Sequence, residues 1–206
     1  MHADAGRSDA STPTTPGGPS PGARAPEPGA RRSLRRRLAG GPLARAIGRA
    51  DVRLYRLLRS VARPPGVVRW VRRFSATGEH AAVWLAFGTA AAAVDQERRR
   101  RWMLATEAVA AAYLLNTTFK VVFRRRRPAL EDLPALIGTP TALSFPSAHA
   151  TSSFAAARAF SSLVPAGPLY AAAGAMALSR VYLGVHYPSD VAVGAAIGMV
   201  IGSRGR

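Results

Sequence analysis

The chain has 206 residues, of which 48% are hydrophobic and 19% charged, with a formal net charge of +18 and no cysteine. Lacking cysteine, it can form neither disulfides nor thiolate metal sites. The charge would suggest nucleic acid in a soluble protein, but most of the excess precedes residue 75 and borders long apolar runs, where arginines more simply meet anionic lipid head groups, so nucleic acid is set aside as a partner.

Residues 1–33 are rich in Pro, Gly, Ala, Ser and Thr with almost no large apolar side chains. They cannot bury enough surface to offset the entropy of ordering and are expected to be a disordered tail. Residues 34–75 alternate Arg with Leu, Val, Ala and Tyr at helical spacing, predicting basic amphipathic helices in the head-group layer, broken at Pro64-Pro65-Gly66. The start, Met1-His2-Ala3-Asp4, lacks a charged region followed by an apolar core, so no cleavable signal peptide is expected.

From residue 76 onward the expectation is an all-α, multi-span membrane bundle of about five helices. The apolar segments are 79–95, 102–123, 149–165, 167–185 and 188–203, all rich in Ala and Gly, so close helix packing is predicted. Residues 124–148 form the one long connection, a candidate lid.

Of 29 basic side chains only Lys120 is a lysine, and it opens three spaced motifs. These are Lys120 to Arg127-Pro128, then Pro146-Ser147-Ala148-His149, then Ser179-Arg180 running to His186 and Asp190. The alternation of spans brings all three to one end of the bundle. Lys120, Arg127 and Arg180 supply three cations suited to phosphate oxygens, and Ser147 with the main chain at Ala148 offers donors at a helix start. Asp190 lies four positions after His186, at the start of a helix, and can hold one imidazole nitrogen while the other stays free to attack. His186 is therefore the expected nucleophile and His149 the general acid and base.

These motifs resemble the three-part signature of the type 2 phosphatidic acid phosphatase superfamily over roughly residues 75–203. The resemblance implies a metal-independent lipid phosphatase with no cofactor. It assigns nucleophile to His186, its orienting partner to Asp190, acid/base to His149, and phosphate binding to Lys120, Arg127, Ser147, Ala148, Ser179 and Arg180. One departure is Ala148, where the family usually has Gly. Arg124 to Arg126 read as a positive flank of the helix end.

The substrates that fit a phosphate site beside the head-group layer are polyprenyl-linked phosphates, phosphatidylglycerophosphate and phosphatidic acid, with anionic membrane lipids as surroundings. Loop charges nearly balance across the bilayer, and the resemblance favours an extracytoplasmic site in the cell membrane. Two other readings compete: a catalytically silent protein binding anionic lipid, and a phosphotransferase using the same site. Oligomeric state is not legible.

Overall fold

The computed structural model describes residues 41–205, without the side chains of residues 43 and 44. The expected tail over 1–33 lies outside the described residues, as do residues 34–40 of the basic segment. The chain divides into two units, Met1–Arg45 and Ala46–Arg206. Of the first, residues 41–45 are described; the second contains all three motifs.

Among the described residues there are seven α-helices and no strand: α1 Pro42–Leu58, α2 Pro65–Thr77, α3 Ala82–Val94, α4 Arg99–Phe123, α5 Ala148–Phe160, α6 Ala166–Tyr182 and α7 Pro188–Gly202. The all-α expectation holds, and each expected apolar segment is a helix with ends shifted by a few residues. Prolines at the first helical position start α2 and α7, where a missing N–H costs nothing. No helix among the described residues is long and apolar enough to cross a membrane. Helix α4, with 25 residues, is about 37 Å long, whereas α3 and α5, with 13 each, reach only about 20 Å.

Helix α5 is the hub and packs against α3, α4, α6 and α7. Its sequence explains this role, because Ala150, Ala155, Ala156, Ala157 and Ala159 are fully buried and keep its surface thin. Helix α7 meets it through Gly194, Gly198 and Gly202, spaced four apart. A Cβ on Gly198 would come 2.3 Å from the Thr151 carbonyl oxygen, and one on Gly202 would come 2.4 Å from that of Ala155. The two backbones therefore touch, as small-residue stripes allow. At one end of the bundle Phe87, Trp102 and Phe160 form an aromatic cluster. The other end holds Lys120 and the start of α5, and all three motifs converge there.

Helix α1 is amphipathic as expected, but its charged residues do not all face outward. Arg59, just past its end, is fully buried and donates to the Tyr55 hydroxyl at 2.8 Å and to the carbonyls of Leu133 and Pro134 at 2.8 and 3.0 Å. A guanidinium has enough donors to satisfy several loop carbonyls that would otherwise be buried without partners. Gly184 closes this contact: its φ is +81°, and a Cβ there would lie 2.5 Å from an Arg59 nitrogen. Leu54 and Leu57 of α1 remain exposed.

Candidate active site

The first motif spans the end of α4 and the turn after it. Asn116, fully buried, donates to the Thr151 hydroxyl at 3.0 Å and to the Pro146 carbonyl at 3.3 Å, locking α4 to the start of α5. One turn later Lys120 faces a cavity. Arg124 then adopts a left-handed conformation, φ 51°, and ends the helix. The chain reverses and Arg127 is fixed along its length. Its N–H donates to the Ala142 carbonyl at 3.1 Å, its Nε to the Thr141 carbonyl at 2.9 Å, and its Nη1 to the Val185 carbonyl at 2.7 Å.

That same Nη1 lies 3.1 Å from Nε2 of His186. A guanidinium only donates, so Nε2 carries the lone pair and the proton sits on Nδ1. Nδ1 faces Oδ2 of Asp190 at 3.6 Å, near but without a closed hydrogen bond. Burial, with the cations of Arg127, Arg180 and Lys120 adding to it, holds the His186 pKa well below its ordinary value. The imidazole is therefore neutral at neutral pH, the state a nucleophile requires.

The second motif starts α5. Ser147 precedes the helix in extended geometry and its N–H donates to the Asp190 carbonyl at 3.0 Å, so motifs two and three are tied main chain to main chain. Ala148 is the first helical residue. It is not among the described residues with positive φ, so the methyl that replaces the family's usual Gly is not strained. His149 Nε2 lies 3.0 Å from the carbonyl oxygen of Ser75. A carbonyl only accepts, so Nε2 bears hydrogen and Nδ1 is left for proton exchange.

Lys120, Arg127, Ala148, His149, Arg180 and His186 line one cavity of about 100 Å³. Three cations thus crowd two imidazoles, an arrangement that an anion would relieve. Asp190 is buried behind His186 rather than in the cavity wall. The Ser179 hydroxyl donates to the Met176 carbonyl at 2.6 Å, within its own helix, and Ser179 does not line the cavity. Ser147 is also absent from the lining, although its buried hydroxyl has no hydrogen-bond partner among the described residues.

Three contributors escaped the sequence reading. Ser75 of α2 is buried, and besides holding His149 through its carbonyl it accepts from Arg180 Nη1 through its hydroxyl at 2.6 Å. Arg125 is not simply part of a positive flank, because its Nη1 donates to Asp190 Oδ1 at 2.9 Å and its Nη2 to Asp51 Oδ2 at 2.5 Å. Asp51 of α1 in turn accepts from the Ser189 N–H at 2.9 Å. The long connection is indeed part of the site, since Pro140 lines the cavity.

Residues 101–204 match the family model of the PAP2 superfamily. A decaprenylphosphoryl-5-phosphoribose phosphatase from Mycolicibacterium smegmatis is 42% identical over 146 residues, covering 70% of this chain and 80% of that protein. The protein of the same name from Mycobacterium tuberculosis is 40% identical over 139 residues, covering 68% and 78%. Among solved structures, LpxE of Aquifex aeolicus aligns with a TM-score of 0.64 at 29% identity, over 75% of this chain and 93% of that one. A transmembrane PAP2 type phosphatidylglycerolphosphate phosphatase from Bacillus subtilis gives a TM-score of 0.61 at 24% identity, over 76% and 83%, a likeness of fold alone.

Proposed function

Because the chain belongs to the PAP2 superfamily and is a phosphoric ester hydrolase acting on lipid phosphates, we propose that it is an integral membrane enzyme that dephosphorylates a polyprenyl-linked phosphate through a phosphohistidine on His186, without a metal ion. The observation that carries the mechanism is the convergence of Lys120, Arg127 and Arg180 with His149 and His186 on one cavity. The relatives that act on decaprenylphosphoryl-5-phosphoribose favour a polyprenyl-linked substrate over phosphatidylglycerophosphate or phosphatidic acid.

In the first step His186 Nε2 attacks phosphorus, a P–N bond forms and the P–O bond to the leaving alcohol breaks, while His149 Nδ1, protonated by the proton that the substrate phosphate monoanion brings in, hands that proton to the leaving oxygen. In the second step water attacks phosphorus, its proton passes to His149, and the P–N bond breaks to release phosphate. The three cations hold the equatorial oxygens throughout; Arg127 is anchored by the Thr141 and Val185 carbonyls, and its Nη1 contact to His186 Nε2 opens as that lone pair turns to phosphorus. Ser147 and Ala148 would add donors from the start of α5, and Ser179 would act by holding Arg180's stretch of α6.

Membrane embedding is supported by large apolar side chains exposed on several helices, among them Phe87, Leu114, Val121, Leu178 and Val200. A lipid environment removes the cost of exposing them to water. Arg98 to Arg101 at the bundle end away from the site are offset by Arg124 to Arg127 beside it, so the extracytoplasmic face proposed for the site rests on the family likeness and not on charge. With no cysteine in the chain, Arg100→Cys labelled from either side tests that orientation directly.

Phosphate release by purified protein from a panel of lipid phosphates, with chelator present, tests the mechanism. The wild type is expected to turn over in chelator, and His186→Ala to lose activity by about a thousandfold or more. Activity abolished by chelator would remove the metal-free route, and a working His186→Ala would remove the nucleophile.

A further inference from the structure

We propose that α1 and α2 form a docking surface for an anionic bilayer, and that seating on that bilayer steadies His149, Arg180 and Asp190, so that turnover follows the charge of the surrounding lipid. This inference rests on the phosphatase reading and adds to it a regulation of the same site. Both helices are built on one plan, with buried polar groups between an apolar flank and a basic one. In α1 the buried column is Asp51 and Tyr55, continued by Arg59 just past its end. With about 3.6 residues per turn, Ile47, Leu54 and Leu57 fall to one side of it and Arg49, Arg53 and Arg56 to the other, and all six are exposed. In α2 Ser75 is buried, Val67 and Trp70 are exposed on one flank, and Arg69, Arg72 and Arg73 are exposed on the other.

The buried groups of both helices reach the site. Asp51 holds Arg125, which donates to Asp190, and it also accepts from the Ser189 N–H. Arg56 pairs with Asp132, and Arg59 meets the carbonyls of Leu133 and Pro134, so α1 also grips the long connection that carries Arg127. Ser75 meets Arg180 through its hydroxyl and His149 through its carbonyl. A force on the outer side of either helix is therefore carried by direct polar contacts to the groups around the cavity.

Charge decides what covers that outer side. Residues 42–77 carry nine arginines and one acid, Asp51, which is buried. The outward face is thus cationic and apolar at once, which suits lipid phosphates on one flank and hydrocarbon on the other. A nucleic acid would leave the apolar flank in water. Trp70, 64% exposed and stacked on Phe74 at 5.4 Å, is the kind of side chain that sits at head-group level. Ile47 and Leu54 also border, with Pro188 and Ala192, a groove of about 290 Å³ whose wall includes Asp51 and Ser189. A lipid chain entering that groove meets the Asp51 brace itself.

The test uses the full chain in phosphatidylcholine vesicles containing from none to about 30% phosphatidylglycerol, with a short-chain phosphate ester that stays in solution. An anionic surface repels that substrate and raises KM, so a rise in kcat cannot come from attraction. For the wild type kcat is expected to rise about fivefold, and the double variant Arg49→Gln, Arg53→Gln should match it in neutral vesicles and lose the rise. A kcat indifferent to phosphatidylglycerol, or a double variant that responds like the wild type, would overturn the proposal while leaving the phosphatase reading intact. A second readout needs no activity: because the chain has no cysteine, Leu57→Cys takes a polarity-sensitive dye at one position, and its emission should move to the blue as phosphatidylglycerol is added. Unchanged emission overturns the docking. A shift that follows protein density in the bilayer rather than lipid charge would assign the flank to a second copy of this chain and overturn it too. If the wild type releases no phosphate in any vesicle, the phosphatase reading falls and the coupling with it, while the dye still decides the docking surface.

Discussion

Arg125 holds Asp190 by one carboxylate oxygen, Nη1 to Oδ1 at 2.9 Å, while the other oxygen accepts the Tyr187 N–H at 2.8 Å and faces His186. Asp190, proposed to orient His186, is thus itself oriented, and Asp51 fixes the guanidinium from the far side. Arg125→Gln is expected to lower kcat by about ten- to a hundredfold with KM little changed, since a displaced orienting group misplaces the attacking nitrogen. Asp51→Asn should give a smaller loss of the same kind. Steady-state kinetics decide it, and a rise in KM at constant kcat would show that Arg125 serves substrate binding instead.

Ser75 serves His149 and Arg180 with two different atoms. Ser75→Ala keeps the carbonyl that His149 meets and removes the hydroxyl that accepts from Arg180. Leaving a buried guanidinium nitrogen without its acceptor should cost about 1–3 kcal/mol in stability and raise KM through a loosened Arg180. Thermal unfolding and KM measured on the same preparation test both halves.

The depressed pKa of His186 makes stability depend on pH with a definite sign. The folded protein keeps the ring neutral, whereas the unfolded chain takes up a proton near the ordinary value of 6.5. Stability from this group is complete above that pH and falls as pH drops toward the folded-state value, by up to about 1.4 kcal/mol per pH unit. Melting curves from about pH 7.5 down to about pH 5.5 should therefore show a steeper acid loss for the wild type than for His186→Asn. Parallel curves would mean that His186 takes up its proton in the folded protein.

The seam between α5 and α7 predicts opposite results for two glycines. A Cβ on Gly198 would meet the Thr151 carbonyl oxygen at 2.3 Å, whereas one on Gly174 meets nothing within 4 Å. Gly198→Ala should destabilise by about 1–3 kcal/mol or more, and Gly174→Ala should stabilise by up to about 1 kcal/mol. Equal melting temperatures for the two variants would refute the backbone contact.

The parts legible in the sequence were those written as spacing. Apolar runs located α3 to α7, and the motif intervals brought Lys120, Arg127, His149, Arg180 and His186 to one cavity. Asp190 was legible as the partner of His186 for the same reason. Arg125 was hidden by its neighbours, since four consecutive arginines look alike until a fold gives each a direction. Ser75 carries no local pattern, and its two partners lie more than seventy residues away. Asp51 and Tyr55 of α1 and Arg59 just past its end recur every four positions, and a lone acid on a helix otherwise charged only by arginines was the available signal of a buried face. Amphipathic reading assigned such charges to solvent or head groups because it weighs hydropathy and not long-range pairing.

The stretch that matches the superfamily begins at residue 101, yet the two anchors on Ser75 and the Asp51 brace all lie upstream of it. A fragment trimmed to residues 101–204 would retain every signature residue and still lose the acceptor that sets the tautomer of His149, the clasp on Arg180 and one of the two carboxylates on Arg125. The signature is thus separable from the contacts that steady it, and the amino-terminal helices supply partners that the motifs themselves lack.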